Sequence, residues 1–474
     1  MSERDEGQPS FHLIGAGGAG MSVVAQLLAA QGARVTGSDR QDSDFLTALR
    51  NQGLEVYYPH GARDFDPDAT VVLSSAIRDD NVELVLARSR GQRVIHRSQA
   101  LALAAQGHRM VAVAGAHGKT TTSAMLATAL LDAGVDASLA IGGDVLGVGT
   151  GARIGGDVFV AEADESDGSF LNYSPYLALI TNIEADHLDT HGSSESLFHV
   201  FEEFTDRIVS GGTLLCCGED RGSARLAAEM KERSDLRFSV LTYGRSNHCD
   251  SPPDIELSDV ATSAEQVSGR LSWGAIHQEF NLSVTGAHNA LNAAGAWGAC
   301  VALGVGPTAA AKGLSAFKGA GRRFETKGIV SEKTVIIDYA HHPTEVAAAI
   351  RQARLIAGEG KVIVVFQPHL YSRTRSFADR FAKELAGADR VILADIYAAR
   401  EDPMPGVTSE LILEEAPENT DFINGGDAAA AASIGASLTA PGDVLVLMGA
   451  GDIYLEAASV LQEWEEVSHS EGRS

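Results

Sequence analysis

Cysteine is scarce in this chain, with four in 474 residues, at positions Cys216, Cys217, Cys249 and Cys300. An adjacent pair and two singles give neither a CxxC metal spacing nor a disulfide framework, so the sequence reads as that of a protein from a reducing, cytoplasmic compartment. Basic residues are also short: 37 Lys and Arg stand against 63 Asp and Glu, leaving a formal charge of −26. That balance argues against a non-specific nucleic-acid binder and against docking on anionic lipid, since both need clustered Lys and Arg. A phosphorylated small ligand stays open, because it needs only a few local donors. No uncharged apolar run reaches the roughly 18 residues of a membrane span. The stretch 101–114 is broken by His108 and Arg109, and 444–448 is too short. Residues 1–10 carry no apolar h-region, so no secretory signal is expected and 1–10 reads as a disordered tail. No repeat of about 20 to 50 residues is found.

What is present is ordinary for a protein with real cores: 45% apolar and 21% charged residues. At about 150 residues per domain the length suggests three domains. Short apolar strands alternate with helical stretches nearly throughout, the pattern of βα units on parallel sheets. Strands are expected at 11–14, 34–36, 71–73 and 93–95, then at 110–113, 157–160 and 177–180. A third block has strands at 334–337, 361–366, 390–393 and 443–447. The polar segment 245–280 reads as short strands and loops, and the charged tail after Trp464 as frayed.

Two glycine turns punctuate this pattern. The first, Gly15-Ala-Gly17-Gly18-Ala-Gly20, follows a strand and opens a helix, with Asp39 19 residues after Gly20. This is the form of a dinucleotide fingerprint, which taken alone favours NAD and a dehydrogenase. Its physics is broader. Small residues admit a pyrophosphate and the helix start offers N–H groups to it, so a UDP-sugar fits equally.

The second turn, Gly115-Ala116-His117-Gly118-Lys119-Thr120-Thr121-Thr122, contains the Gly-Lys-Thr core of a phosphate loop, with two residues fewer between its glycines than the usual form. Backbone N–H groups can line phosphates, Lys119 can neutralise their oxygens, and a Thr hydroxyl can ligate a divalent cation. A lysine at a helix N-terminus is disfavoured unless an anion is there too. Two acidic clusters follow the next strands, Glu162-Ala-Asp164-Glu165-Ser-Asp167 and Glu184-Ala-Asp186-His187-Leu-Asp189. Beyond the carboxyl ends of parallel strands they should face the Lys119 loop. Carboxylates with one imidazole suit Mg²⁺ or Mn²⁺ better than Zn²⁺.

Taken in order, Gly15–Ser22, Gly115–Thr122, Glu162–Asp167, Asn182–Asp189, His288–Asn292, Gly321–Glu325, Asp338–Glu345 and Gly449–Ile453 resemble the motifs of the Mur ligase family, from residue 11 to about 455. Within it the pattern is most similar to the member that joins L-alanine to UDP-N-acetylmuramate. The next most similar is the one that attaches recycled murein peptide to the same nucleotide sugar. The resemblance implies an α/β protein of three domains. N- and C-terminal Rossmann-like doubly wound sheets (11–106 and 323–474) would flank a central P-loop ATPase domain (107–322). It implies ligation through an acyl phosphate, giving ADP and phosphate, in peptidoglycan precursor synthesis. ATP and Mg²⁺ (or Mn²⁺) are the implied cofactors, UDP-N-acetylmuramate and L-alanine the partners, and the chain would be a monomer or weak homodimer.

By the same resemblance Gly15, Gly17, Gly18 and Gly20 would hold the UDP diphosphate, with Asp39, Ser74, Ser75 and Arg97 near the sugar or uridine. The loop Gly115, Ala116, His117, Gly118, Lys119, Thr120 and Thr121 would hold the ATP phosphates, and Thr120, Glu162 and His187 the metal. Asn289 and Asn292 would border the base, Arg323 reach the phosphates and Asp338 the ribose. His341 or His342 is the candidate base for the incoming amine, with positioning as the alternative role. Arg373 would take the amino acid's carboxylate. Two departures stand out. Leu370 occupies the place of the first arginine in the family's Phe-Gln-Pro-His-Arg segment, and 200–208 lacks the lysine that later members of the ligase series carbamylate.

Overall fold

The structure, a computed structural model, describes residues 8–61, 63–184, 193–399 and 401–471. Three sheets organise them. In the first, β1 (Ser10–Ile14), β2 (Arg34–Ser38), β3 (Glu55–Tyr57), β4 (Thr70–Leu73) and β5 (Val94–His96) run parallel in the order β3-β2-β1-β4-β5. The order reverses at β1, so a crevice opens at its carboxyl end, where the first glycine turn leads into α1 (Ala19–Ala30). Leu13, Ile14, Val71 and Val72 are fully buried, as expected of strands covered on both faces.

The second sheet has ten strands, ordered β15-β14-β13-β12-β11-β10-β6-β9-β7-β8. Its centre is β6 (Arg109–Ala114), parallel to β9 (Val158–Ala163) and β10 (Leu177–Ile180). β7 (Ser138–Ala140) and β8 (Ala152–Arg153) continue one side, and β11 (Thr213–Cys217) and β12 (Ser239–Gly244) the other. The segment expected to be loops and short strands is instead regular: β13 (Ile255–Thr262), β14 (Val267–Trp273) and β15 (Ile276–Leu282) have eight, seven and seven residues. They bury one face only, through Ile255, Leu257, Val267, Leu271, Phe280 and Leu282. The polar residues of the open face hide these strands in a composition reading.

The third sheet is ordered β16-β17-β21-β18-β19-β20, from β16 (Glu325–Val330), β17 (Lys333–Asp338), β18 (Val362–Phe366), β19 (Arg390–Ala394), β20 (Phe422–Gly426) and β21 (Val444–Met448). β16 was not expected. It pairs antiparallel with β17 through Ser331 and Glu332, both at positive φ (+49° and +62°), and none of its six residues is fully buried. An edge strand with charged residues and a hairpin turn lacking Gly or Asn gives little signal. The tail also differs from expectation. It is helical from Ala457 to Glu471, and Trp464 donates its indole N–H to Ala436 O at 3.0 Å.

Compactness divides the chain in two: the first two sheets form one unit, and the third sheet with 261–267 and 283–289 forms the other. Among the described residues no helix is long and apolar enough to cross a membrane.

Candidate active site

β6 is buried from Met110 to Ala114 and delivers the second glycine turn at its carboxyl end. Gly115 has φ +131°, and a β-carbon there would run into Thr181 Oγ1 and the Asn182 backbone. Gly118 has φ +80° and is the N-cap of α2 (Lys119–Asp132). A glycine cap supplies no oxygen, so the leading N–H groups stay open to an anion. The helix at 44–51 is different, since Ser43 Oγ accepts from Leu46 N at 3.2 Å. β10 braces the loop from the side. Thr181 Oγ1 donates to His117 O at 2.6 Å, and Asn182 both accepts from His117 N and donates to His117 O, each at 2.9 Å. Asn292 stands beside the loop, its Oδ1 3.0 Å from where a Gly118 β-carbon would lie.

Lys119 Nζ donates to Gly115 O at 2.5 Å and to both carboxylate oxygens of Glu165 at 3.0 and 3.1 Å. Burial works against this ammonium, but the carboxylates of Glu165, Asp164 and Glu162 outweigh it and hold the Lys119 pKa above its ordinary value. Thr120 Oγ1 donates to Glu162 Oε2 at 3.2 Å, and Gly142 N donates to the other Glu162 oxygen at 2.9 Å. A hydroxyl and a carboxylate converging beside a phosphate loop are hard oxygen donors of the kind Mg²⁺ or Mn²⁺ takes. His187, expected as the third ligand, lies outside the described residues. Nearby, His117 Nε2 is 3.6 Å from Glu184 Oε2.

The first glycine turn is held from its own sheet. Gly15 N and Ala16 N donate to Ser38 O at 2.8 and 2.9 Å, and Gly17 N donates to Asp39 Oδ2 at 2.8 Å. Asp39 is therefore fixed as an anchor of the turn. Gly18 caps α1, again without a side chain. Arg97 lies over the turn, its Nη1 2.6 Å from where a Gly20 β-carbon would be. Its Nη2 donates to Asp164 Oδ2 at 2.5 Å, and Ser75 Oγ donates to Asp167 Oδ2 at 2.7 Å. Ser74 contributes a turn, its carbonyl accepting from Ile77 N at 3.1 Å.

In the second unit, Arg323 stacks over Tyr339 (4.8 Å to the ring centre), with Nη1 3.5 Å from Glu345 Oε1. Asp338 accepts from Phe324 N and Ala340 N, both at 2.7 Å, and burial pushes its pKa up to about 6. His341 Nδ1 is 3.0 Å from Tyr339 O, which requires a proton on Nδ1 and leaves the lone pair on Nε2. Burial pushes its pKa down to about 4, outweighing the opposing charge of Glu345, so the ring is neutral at pH 7. His342 is 1% exposed and meets Phe377 edge-on at 5.2 Å. Arg373 is also buried, and its charge helps keep His341 neutral. Asn289 Nδ2 donates to Thr285 O at 2.7 Å.

Sequence comparison matches three profiles in order along the chain: the Mur ligase family catalytic domain at 10–109, the Mur ligase middle domain at 113–300, and the Mur ligase glutamate ligase domain at 322–451. The chain belongs to the Mur ligase family. It is 48% identical to the UDP-N-acetylmuramate–L-alanine ligase of Kineococcus radiotolerans over 457 residues, 95% of each chain. It is 47% identical to the ligase of the same name from Paenarthrobacter aurescens, covering 93% of this chain and 94% of that one. The crystal structure of the Thermotoga maritima UDP-N-acetylmuramate–alanine ligase superposes with a TM-score of 0.81 at 26% identity, over 97% of this chain and 99% of that one.

Within this Mur ligase, Leu370 is 5% exposed at φ +72°, and its carbonyl accepts from Thr374 N and Oγ1 at 3.1 and 2.9 Å. A buried apolar residue thus occupies the place of the family arginine, leaving Arg373 as the expected carboxylate partner. Sequence reading missed the bracing by Thr181 and Asn182, the pairing of Glu165 with Lys119, and Glu345 between Arg323 and His341. The Thr-Asn step directly after β10 was the available signal for the first of these. Glu162 is chosen over Glu165 as metal ligand from a position expected just beyond the strand, and it lies within the end of β9; nothing in the spacing of 162–167 marks Glu165 as the partner of Lys119.

Proposed function

We propose that this chain joins L-alanine to the lactyl carboxylate of UDP-N-acetylmuramate at the expense of ATP, yielding ADP and phosphate. The observation that carries the reaction class is the convergence of Lys119, Thr120 and Glu162 on an open helix N-terminus; the substrates follow from the names of its full-length relatives. A carboxylate is a poor acyl donor because oxide is its leaving group. Attack of that carboxylate on the γ-phosphorus of ATP breaks the bond to ADP and makes an acyl phosphate. The amine then adds to the acyl carbon, and collapse of the tetrahedral adduct expels phosphate and leaves an amide.

Several negative oxygens have to be gathered for this, and the chain's own groups do it. The N–H groups of the Gly115–Thr121 loop and Lys119 bind the ATP phosphates, with Arg323 reaching them. Thr120, Glu162 and His187 would hold Mg²⁺ or Mn²⁺, which supplies charge neutralisation at the phosphates. Asn289 and Asn292 border the base. Asp338 would reach the ribose with lone pairs left over from its two backbone bonds. Gly15, Gly17, Gly18 and Gly20 take the UDP diphosphate beside Arg97. Arg373 orients the amino acid through its carboxylate. His341, neutral with its Nε2 lone pair free of the Tyr339 bond, takes the proton that the alanine ammonium must lose. We assign these roles to domains 11–106, 107–322 and 323–474. We place the enzyme in the cytoplasm, where ATP is at hand and free Cys216, Cys217 and Cys300 stay reduced.

The test is phosphate release across a panel of acceptors and amines. Release is expected with UDP-N-acetylmuramate and L-alanine together and with neither alone. Turnover of UDP-N-acetylmuramoyl-alanine with D-glutamate, or a preference for murein peptide over L-alanine, would overturn the assignment.

A further inference from the structure

The segment 162–167, the end of β9 and the loop that follows it, divides its carboxylates between two neighbours. Glu162 and Glu165 turn to Thr120 and Lys119 of the phosphate loop. Asp164 and Asp167 turn to the first sheet, and each uses both oxygens. Asp164 Oδ1 accepts from Ser166 N at 3.1 Å while Oδ2 takes Arg97 Nη2 at 2.5 Å. Asp167 Oδ1 accepts from Ser169 N at 2.9 Å while Oδ2 takes Ser75 Oγ at 2.7 Å, with His96 Nε2 3.6 Å away. The backbone bond fixes each carboxylate, and the second oxygen fixes the residue it reaches. Asn172 Nδ2, donating to Ser98 Oγ at 2.8 Å, adds a tie to the first turn of the helix Arg97–Ala104, which Arg97 opens.

Arg97 is the hub of this arrangement. One nitrogen of its guanidinium lies against Gly20 of the first turn and another is held by Asp164. A guanidinium with one donor anchored loses less freedom when its remaining donors meet an anion.

We propose that Asp164 and Asp167 are positioning residues for the nucleotide sugar, holding Arg97 and Ser75 beside the first glycine turn. Because they share one short segment with Glu162, at the end of β9, and with Glu165, they also couple filling of the phosphate loop to affinity at that turn. The inference rests on the reading of the first turn as the diphosphate site.

Asp164→Asn keeps the size and removes the charge. It raises KM for UDP-N-acetylmuramate about tenfold, as for loss of a charged hydrogen bond, and leaves the Kd for ATP measured without the nucleotide sugar within about twofold. Combined with Arg97→Ala it costs no more than Arg97→Ala alone. Ser75→Ala, which leaves every carboxylate in place, raises the same KM in the same direction. In calorimetry, a non-hydrolysable ATP analogue with Mg²⁺ tightens UDP-N-acetylmuramate binding to the unaltered chain by about fivefold or more, and the Asp164→Asn/Asp167→Asn chain loses most of that factor. Additive costs with Arg97→Ala, an equal loss of ATP affinity in the absence of the nucleotide sugar, or an unchanged coupling factor would each overturn the proposal. Failure of the underlying reading looks different. The unaltered chain would then take up no UDP-N-acetylmuramate, and Gly20→Ala, which forces a β-carbon onto Arg97, would leave its KM untouched.

Discussion

Lys119 has a counter-ion before any phosphate arrives. Its ammonium faces both oxygens of Glu165, a side chain only 2% exposed, at the mouth of a loop built for anions. Removing the lysine therefore does two separable things. It takes away the charge that meets the phosphates, and it removes the cation from a buried carboxylate. Lys119→Ala should abolish ATP-dependent phosphate release and also lower the unfolding free energy by about 3 to 5 kcal/mol, the cost of breaking a buried pair from one side. In Lys119→Met/Glu165→Gln the buried carboxylate charge is gone with its cation, so the melting temperature should recover while turnover stays absent. Melting curves and a phosphate assay on the two variants check this, and a double variant that regains activity would remove Lys119 from the chemistry. The lysine was legible from Gly-Lys-Thr alone, because the three residue types carry the loop's function between them. Its partner was not, since four acids in six positions present several equivalent choices until the chain is folded.

The connection from β17 into the helix Pro343–Ala357 is an element whose titration can be read directly. His341 sits in it between the Tyr339 carbonyl, Glu345 and Arg373, and burial holds its pKa near 4 instead of 6.5. In an unfolded chain the same imidazole takes a proton at about pH 6.5, so below that value the unfolded state binds more protons than the folded one. This group's contribution to stability is present above pH 6.5 and is lost as the pH falls towards 4. For the same reason an acid limb in kcat from His341 should appear near pH 4. Nitrogen-15 spectra of histidine-labelled protein, assigned through His341→Gln, measure the midpoint, and a value near 6.5 would sink the argument. Glu345→Gln deletes a charge that favours the imidazolium and should move the midpoint lower still. At this scale the strands with two covered faces were legible as apolar runs, and both glycine turns as breaks between strand and helix. β16 was not, and β13 to β15 were legible only as short strands, because half or more of their side chains face outward; the turns at 263–266 and 331–332 lack the residues that mark hairpins, and Gly274, at φ +59° between β14 and β15, is the exception.

Taken whole, the molecule carries −26 at pH 7 and is proposed to bind two polyanions. The attraction is local and short, through Lys119, Arg97, Arg323 and backbone N–H groups, while the repulsion comes from a surplus of carboxylates spread over 49.6 kDa. Salt acts unequally on the two. The Debye length falls from about 30 Å at 0.01 M to about 8 Å at 0.15 M, so distant repulsion is screened well before contact pairs inside the loops are. At fixed free Mg²⁺, raising the ionic strength across this range should speed association of ATP and UDP-N-acetylmuramate by about twofold or more, the reverse of what a basic cleft shows for anions. Stopped-flow association at several salt concentrations, repeated with a second inert anion to exclude competition at the phosphate loop, decides the sign. A steady fall in association rate would mean that the local cations project beyond their loops and dominate the approach, despite the overall charge.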